Sequence, residues 1–438
     1  MAMAEQDSRS LRAMALAPLL RGGRWFWPAV GLLSLPVLGA LGAWGYQLTH
    51  GLRVTGLRDQ VFWGVYITNL ITFIGFSYGG ALVSAILRLT GAAWRAPITR
   101  LSEATALITL VVGALFIFVD LGRPDRLWEF IAHPNLSSPL VWDALAVTTY
   151  LVATMIFLYL PLIPDLAVAA RETDGRVGPL RRWVLRLLSL GWQGRPDQQR
   201  VLEWGTTTMA ILIIPIAVTV HSVLSWAFAL TTREGWHSTV FGPYFVIAAL
   251  FSGVATVILV VLFFRWAYGL QRHIGAQQIR NLGMILLTLG VTYLYFTFDE
   301  LLTEGYPMVM KTAELFRVLL FGQYGLQFWA FVIGGGLIPV LLVALPWTRN
   351  AKGIGIASGL VVAFMWLKRF LIIVPPQSVP LIAGPMGTYH PTWVEITITA
   401  GGIAAVPLLL ILFFRLFPIL AIHEMEEMES EPATQVHP

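Results

Sequence analysis

The chain has 438 residues, of which 57% are hydrophobic and 12% charged, and its mean hydropathy is +0.72. This composition excludes an ordinary soluble globular protein and indicates one that lies in a lipid bilayer. The net charge of +5 does not indicate a nucleic-acid partner, because the basic residues sit in short loops between apolar segments. The absence of cysteine excludes disulfides, thiol chemistry and iron–sulfur ligation by this chain.

The order of segments predicts one membrane domain between two polar termini. Residues 1–26 have arginines but no long apolar core before a small-residue cleavage site, so we expect no removable signal peptide. Residues 27–421 form the predicted transmembrane domain. Residues 422–438 include the run HEMEEMESE, which we expect to be a solvated acidic cytoplasmic tail.

Ten segments are long and apolar enough to cross about 30 Å of hydrocarbon as helices. We number them as helices 1 to 10 and predict them near 27–47, 61–89, 104–121, 140–164, 204–231, 241–268, 282–299, 323–345, 353–375 and 393–421.

Loop charges predict the orientation of these helices, because short cytoplasmic loops carry an excess of Lys and Arg. The N-terminus and the loops after helices 2, 4, 6 and 8 contain eighteen such residues. The opposite set of loops contains seven. We therefore expect both termini on the cytoplasmic side of a bacterial inner membrane.

The chain also contains a candidate internal repeat. Tyr66 near the start of helix 2 and Tyr244 near the start of helix 6 are 178 residues apart, and Asp120 and Asp299 at the ends of helices 3 and 7 are 179 apart. An even number of helices separates the copies, so the repeats are parallel. This predicts two four-helix bundles, about 61–231 (helices 2–5) and 241–375 (helices 6–9), with helices 1 and 10 outside.

Polar residues collect toward the predicted outer half of each bundle, where each ionisable group costs at least ~2.5–3.5 kcal/mol on insertion scales. The second bundle has Tyr244, Asp299, Glu300, Gln323 and Tyr324. The first bundle has Tyr66, Asn69, Asp120, Trp142, Asp143, His221 and Ser222.

The first set is suited to a quinone, which needs an apolar slot and, at each ring oxygen, a hydrogen-bond partner that exchanges protons. Asp143 or Asp120, together with His221 and a tyrosine, would supply these groups. Structural alternatives stay open: Asp120 would cap helix 3 and pair with Arg123 or Arg126, Asp143 would be a first-turn residue favoured by the helix dipole, and His221 would be an ordinary bundle histidine.

Histidine placement argues against a haem held by this chain. Of the eight histidines, His221 alone lies well inside a predicted helix, whereas a transmembrane haem with two axial histidines needs two. We therefore expect no haem, cluster or metal of its own, and electron transfer over a distance would require a partner.

Two further polar groups suggest proton paths. Glu103 and Arg100 near the start of helix 3 would begin a route through the first bundle, or would form an interfacial pair. Lys368 and Arg369 lie deeper, in helix 9, and we expect them to pair with Asp299 or Glu300.

Several motifs together resemble one membrane-protein family: FWGVYITNLITFIGFSYGGALVSAILRL, FVDLGRPDR, SSPLVWDALAVTTY, HSVLSWAFA, GWHSTVFGPYFVIAALFSG and TYLYFTFDELLTEGY. The chain resembles the NrfD/polysulfide reductase membrane-subunit family. The resemblance is greatest to the ten-helix quinol-side subunits, C-type or F-type, of bacterial alternative complex III.

The resemblance implies a quinol site, with menaquinone expected over ubiquinone, and partners that include an iron–sulfur subunit on the outer face, a multihaem cytochrome c subunit and a sister NrfD-like subunit. It also implies proton translocation. Tyr78 stands where the family pattern has a histidine of the quinone site, and we expect Tyr78, Asp143 and His221 to line the quinol pocket of the first bundle, with Asp120 close by. A phenol is a poorer proton acceptor than imidazole at neutral pH, so either the quinol site is modified or the chain is the F-type sister subunit.

Three hypotheses remain: a quinol-binding subunit of a redox complex, not catalytic alone; a structural or proton-conducting subunit without a quinol site; and a secondary transporter. Transporters often have inverted repeats and a polar site at the midplane. The parallel repeat and the outer position of the polar residues favour the first hypothesis.

Overall fold

The computed structural model describes residues 2–20, 23, 25–173, 175–307, 309–382 and 384–430. Within these residues the chain forms helices and no β-strand, and ten helices are long and apolar enough to cross a membrane, which confirms the predicted all-α membrane class. Helices 1 to 10 are Phe26–His50, Val65–Leu89, Ala96–Asp120, Pro139–Glu172, Pro196–Ala229, Phe241–Ala267, Ala276–Gly305, Gly325–Ala344, Ala351–Ser378 and Trp393–Leu416.

Three helices extend beyond their predicted bounds at the same side of the molecule. Helix 3 begins at Ala96 rather than near 104, helix 4 continues to Glu172, and helix 5 begins at Pro196. A proline occupies the first turn of both helix 3 and helix 5, where its missing N–H costs nothing. Charged residues in the added turns lowered the local hydropathy and hid these turns from the sequence pattern.

The helices form two four-membered rings. Helix 2 packs against helices 3 and 5, and helix 4 closes the ring by packing against both. Helices 6 and 9 pack against each other, helix 7 packs against helices 6 and 8, and helix 8 packs against helix 9. This shared cyclic order agrees with the predicted duplication, and helices 1 and 10 pack on each other outside the rings.

Helices 2 and 6 join the two bundles at a close crossing. A Cβ atom on Gly79 would overlap the backbone of Gly253, and one on Gly253 would overlap Gly79. Helix 9 also contacts helix 2. Side chains of the second bundle therefore reach the first one directly across this seam.

Helix 8 is interrupted by a π-helical segment at Phe331–Leu337. Such segments widen a helix locally and often occur at functional positions. Gly334 and Gly335 leave room for the ring of Phe364 on helix 9, which a Cβ atom at either position would overlap. Phe331 is fully buried, and its ring centre lies 5.5 Å from Lys368 Nζ.

We name the two ends of the molecule after buried glutamates. The Glu395 end contains the loops 51–64, 121–138, 230–240, 306–324 and 379–392. There the Glu395 carboxylate accepts hydrogen bonds from the Gly56 N–H at 2.6 Å and the Tyr389 hydroxyl at 2.6 Å. The Glu424 end contains the described parts of both termini and the remaining loops.

The expectation of a solvated acidic tail is wrong for its first residues. Helix Ile422–Ser430 follows helix 10, and Glu424 is only 5% exposed because its carboxylate binds Arg88 and Arg95, the latter at 2.6 Å. The N–H of His423 donates to Asp165 Oδ1 at 3.0 Å. These contacts attach helix Ile422–Ser430 to helices 2 and 4 and to the start of helix 3.

The N-terminal segment is likewise part of the fold. Helix Ala2–Leu20 buries Leu11, Leu16 and Leu19, and Arg12 pairs with Glu426 at 2.6 Å. Residues 431–438 of the predicted tail, and Arg21 and Arg24 of the loop-charge tally, lie outside the described residues.

Attachment of helix Ile422–Ser430 should depend on pH through His423 and Glu427, whose side chains are 3.0 Å apart. The hydrogen bond with Glu427 raises the pKa of His423, and His423 lowers the pKa of Glu427. The histidine's contribution is therefore complete below its usual pKa of about 6.5 and is lost as the pH rises through the raised value. We expect hydrogen exchange at 422–430, corrected for intrinsic rates, to be slower at pH 6 than at pH 8.5.

A His423→Gln variant should show no such difference between the two pH values. Equal protection of the unaltered protein at both pH values would contradict the role of this pair.

Candidate functional site

Tyr78 of helix 2 and His221 of helix 5 lie against each other in the first bundle. Their ring centres are 4.4 Å apart and their planes are inclined by 48°. Both side chains are buried, and the Tyr78 hydroxyl and His221 Nε2 have no hydrogen-bond partner among the described residues. His221 Nδ1 lies 3.4 Å from the Ala217 carbonyl, which favours the tautomer with the proton on Nδ1. In this tautomer Nε2 carries no proton and can accept a hydrogen bond inside the bundle.

Asp143 lies on the inner face of helix 4. It shares this face with Val147 and Tyr150, four and seven residues further on, which are both buried. The Tyr150 hydroxyl accepts a 3.1 Å hydrogen bond from Ser77, the neighbour of Tyr78. Asp143 Oδ1 is buried and has no hydrogen-bond partner in the described part of the chain. Because helices 4 and 5 pack antiparallel, Asp143 lies about one turn nearer the Glu395 end than His221.

Tyr66 and Asn69 lie on the same helix as Tyr78 but their polar groups are used elsewhere. The Tyr66 hydroxyl donates to Gln47 of helix 1 at 2.5 Å. Asn69 donates to Thr399 of helix 10 at 2.8 Å and accepts from Trp366 of helix 9 at 2.7 Å. These two predicted site residues therefore tie helix 2 to its outer neighbours, away from His221.

Asp120 lies near Tyr66 at the end of helix 3. The expected partner Arg123 binds Asp125 instead, at 2.9 Å. Asp120 Oδ1 is buried without a hydrogen-bond partner among the described residues, and Asp120 interacts electrostatically with Tyr66 and Glu395. It belongs to the polar group at helices 1, 3 and 10 rather than to the Tyr78–His221 pair.

Trp142 and Ser222 occupy the margin of the first bundle. The Trp142 indole donates to the Leu136 carbonyl at 2.7 Å and its ring is partly exposed. Ser222 Oγ donates to the Val218 carbonyl of its own helix at 2.8 Å. Both polar groups are therefore bound to nearby backbone carbonyls rather than directed at the Tyr78–His221 pair.

The second bundle contains a polar group whose members bind one another. The Tyr244 hydroxyl lies 3.2 Å from that of Tyr293 and 2.8 Å from Thr297 Oγ1. Lys368 forms a 3.1 Å ion pair with Glu300, and its Nζ lies 5.2 Å from the centre of the Tyr244 ring. The prediction that Lys368 would have an acidic partner is confirmed. These polar groups of the second bundle have partners within the group.

Arg369 does not follow the expectation that it pairs with Asp299 or Glu300. Its Nη2 donates to Ser252 Oγ at 2.7 Å, and no carboxylate of the described residues lies within ion-pair distance. Asp299 of helix 7 is half-buried, and its carboxylate forms no ion pair among the described residues.

The strongest buried ion pair was missed by the sequence pattern. Arg100 Nη2 binds Asp165 Oδ2 at 2.7 Å, and both side chains are fully buried. Glu103, the predicted partner of Arg100, lies 4.0 Å away and accepts a 2.8 Å hydrogen bond from Ser84. Asp165 was hidden because helix 4 was predicted to end at residue 164.

Tyr389 was also missed, because it lies in a loop and carries no helical pattern. Its hydroxyl accepts from the Val65 N–H at 3.1 Å and donates to Glu395. Burial raises the pKa of Tyr389 well above the usual value for a phenol, and the nearby Glu395 carboxylate raises it further. The hydroxyl therefore keeps its proton and acts as a hydrogen-bond donor that fixes Glu395.

Two cavities lie near these groups. An apolar groove of about 620 Å³ runs between helices 2, 6, 9 and 10, with Thr72 and Trp366 among its lining residues. A void of about 10 Å³, enough for roughly one water molecule, is lined by His221, Lys368 and Arg369. No group of three or more potential metal ligands occurs in the described part of the chain.

A family model described as polysulphide reductase, NrfD, matches residues 53–380, which include both bundles. The chain belongs to the NrfD family. The matched range contains Tyr78, Asp143, His221 and the Lys368–Arg369 pair, so the groups described above lie within the part that defines the family.

Three relatives of the NrfD chain are similar over nearly its whole length. A putative dimethyl sulfoxide reductase membrane subunit of Halobacterium salinarum is 30% identical and covers 95% of this chain and 96% of its own. The Hdr-like menaquinol oxidoreductase integral membrane subunit of Archaeoglobus fulgidus is 26% identical, with coverages of 91% and 95%. The menaquinone reductase integral membrane subunit of Nitratidesulfovibrio vulgaris is 24% identical, with 85% and 86%.

The Arg100–Asp165 pair should be the most sensitive ionic contact of this NrfD-family fold. An Asp165→Asn change leaves a buried guanidinium without its close carboxylate, which typically costs about 3–5 kcal/mol. We expect a markedly lower midpoint of thermal unfolding in detergent. Asp197→Asn, which alters an exposed pair with Arg195, is the control and should change the midpoint little. Equal midpoints for the two variants would show that the buried pair contributes nothing.

Proposed function

We propose that this chain is the quinol-binding membrane subunit of a multi-subunit quinol oxidoreductase, and that its first bundle holds the quinol. One contrast supports this proposal. The first bundle contains several buried polar atoms without partners among the described residues, among them the Tyr78 hydroxyl, His221 Nε2 and Asp143 Oδ1, whereas within helices 6–9 Gln327 Oε1 is such an atom. In the second bundle, Tyr244, Tyr293, Thr297, Lys368 and Glu300 bind one another.

Unpartnered polar atoms inside a bilayer protein are costly, so a ligand that completes their hydrogen bonds explains their retention. Oxidation of a quinol releases two protons and two electrons. His221 Nε2 is available to accept one proton and the Asp143 carboxylate the other, while the Tyr78 hydroxyl donates a hydrogen bond to a ring oxygen. The two electrons leave to a partner, because this chain has no cysteine and its described residues hold no metal-ligand group.

Tyr78 in the place of the family histidine fits this division of roles. His221, on the neighbouring helix, supplies the imidazole, so the phenol needs only to donate a hydrogen bond. A modified quinol site therefore accounts for Tyr78, and the C-type assignment is favoured over an F-type sister subunit without a quinol site. Whether quinone copurifies with the complex distinguishes these two assignments.

The quinone class comes from the relatives. The names of the Archaeoglobus and Nitratidesulfovibrio proteins contain menaquinol and menaquinone. We extend this to the present chain and propose menaquinone over ubiquinone. The 620 Å³ apolar groove would accommodate part of an isoprenoid tail or a lipid chain.

The loop charges lead us to propose that the Glu395 end is the outer face of the bacterial inner membrane and that both termini are cytoplasmic. An iron–sulfur subunit would dock on the Glu395 end, next to the proposed quinol site. A multihaem cytochrome c subunit and a sister NrfD-like subunit would complete an assembly similar to alternative complex III. Proton translocation would use Arg100 and Glu103 in the first bundle, and Asp299, Glu300, Lys368 and Arg369 in the second.

A structural anchor is the main competing hypothesis, and a transporter is the weaker one. An anchor would have its buried polar atoms paired, as most are in the second bundle, where Gln327 Oε1 is an exception among the described residues. A transporter would have its polar site near the midplane between inverted repeats, whereas the two rings here have the same orientation and cyclic order.

Asp143→Asn should lower quinol oxidation by the assembled complex by ~10²-fold or more, because the amide cannot accept a proton from the quinol. His221→Ala should have a comparable effect. Asp125→Asn, which alters an exposed carboxylate at the same end, is the matched control and should keep full activity. The measurement is steady-state turnover with a short-chain menaquinol analogue, together with assembly yield.

Full activity of both Asp143→Asn and His221→Ala with quinone still bound would place the site elsewhere. Failure of both variants to assemble would favour the anchor.

Reporter fusions test the proposed orientation. A fusion at Leu190, in the segment between helices 4 and 5, should report the cytoplasm, and one at Pro385, between helices 9 and 10, should report the outer side. Exchanged signals would reverse the orientation and move the partner's docking face to the Glu424 end.

A further inference from the structure

Arg369 is a buried cation without an anionic partner among the described residues. Its side chain is 3% exposed, and it donates to Ser252 Oγ at 2.7 Å and to the Met365 carbonyl at 3.4 Å. The centre of its guanidinium lies 5.8 Å from the centre of the Phe76 ring. A charge in such a place is expensive and is usually retained for function.

The preceding residue provides an internal comparison. Lys368 lies at nearly the same depth of helix 9 and is neutralised by Glu300 at 3.1 Å. Because the two side chains point in different directions around the helix, Lys368 faces the second bundle and Arg369 faces the seam with helix 2. Helix 9 thus carries one paired charge and one that finds no carboxylate within the described residues.

The fold provides a specific place for the guanidinium. A Cβ atom at Gly75 of helix 2 would overlap Arg369 Nη2, so any larger residue there would require the guanidinium to shift from this position. Ser252, which accepts the hydrogen bond, lies on helix 6 beside Gly253 at the close crossing of helices 2 and 6. Residues from three helices therefore fix the guanidinium in the seam.

This place adjoins the Tyr78–His221 pair. Arg369 and His221 line the same void of about 10 Å³ and interact electrostatically. The void is too small for a quinone ring, so the guanidinium acts across it through its charge. Its positive charge favours negative charge on a ligand bound against His221.

We propose that Arg369, a residue of the second bundle, is the electrostatic positioning residue of the quinol site in the first bundle. It stabilises the negative charge that develops on the ring oxygens as protons leave. This inference rests on the proposed function, because it assigns a role at that same site. It also gives the second bundle a part in quinol chemistry.

A binding experiment tests the charge directly. The probes are 2-hydroxy-1,4-naphthoquinone, an anion at neutral pH, and 1,4-naphthoquinone, its neutral counterpart, titrated into the purified complex. Arg369→Gln should weaken the anion ~10- to 100-fold, because the positive charge that attracts it across the void is lost, and leave the neutral probe within about threefold. Arg369→Lys should recover most of the loss. Arg349→Gln removes an arginine that is likewise held by backbone carbonyls, at the Glu424 end, and should change neither affinity.

Turnover provides the second readout. Arg369→Gln should lower kcat for the menaquinol analogue by ~10²-fold with little change in KM, because the interaction strengthens only as charge develops. If this variant does not assemble, Ser252→Ala, which keeps the cation but removes the bond that orients it, should show a smaller loss of the same anion selectivity.

Equal weakening of both probes, or of neither, would overturn the role of Arg369. If His221→Ala is inactive while Arg369→Gln has normal kcat, the inference fails and the proposed quinol site stands. If neither probe binds the unaltered complex and His221→Ala retains activity, the proposed function itself fails.

Discussion

The cost of an unpaired charge or polar atom within a bilayer governs this structure. Each bundle buries ionisable side chains, and the positions of the helices determine which of these find partners. Arg100 and Asp165 join helices 3 and 4 at the Glu424 end, and Lys368 and Glu300 join helices 9 and 7. The same requirement attaches the C-terminal helix, since Glu424 is buried only because Arg88 and Arg95 meet it. The buried polar groups that lack a partner are the candidates for functional residues.

Hydropathy was sufficient to predict ten helices, because the thickness of the bilayer sets the length of an apolar segment that crosses it. The duplication followed from two pairs of aligned residues, and the two rings have the cyclic order it requires. Helix ends at the Glu424 side were predicted less well. Charged residues such as Arg100 and Asp165 lower local hydropathy, yet they lie in helices because they neutralise each other across the bundle. The hydropathy pattern of a single sequence does not reveal such a contact between two helices.

The candidate site, too, was predicted only in part. Tyr78 and His221 were predicted to lie together and their rings are in contact. Tyr66 and Asn69 lie twelve and nine residues before Tyr78 on helix 2, and their hydrogen bonds go to helices 1, 9 and 10. The pairing of Lys368 with Glu300 was anticipated, whereas the isolation of Arg369 was not. The position of its guanidinium uses the space beside Gly75, which matters only once helices 2 and 9 are adjacent.

The two bundles have the same cyclic order of helices, and they differ in how far the buried polar groups of each bind one another. In the second bundle a lysine, a glutamate, two tyrosines and a threonine satisfy one another. Such a network is stable without a ligand. In the first bundle an imidazole nitrogen, a phenol and a carboxylate oxygen are each left with capacity to bind. The seam through Gly79 and Gly253 brings the bundles close enough for a cation of the second to act on the first. If Arg369 acts on the proposed quinol site, the second bundle would contribute to that site without a ligand of its own.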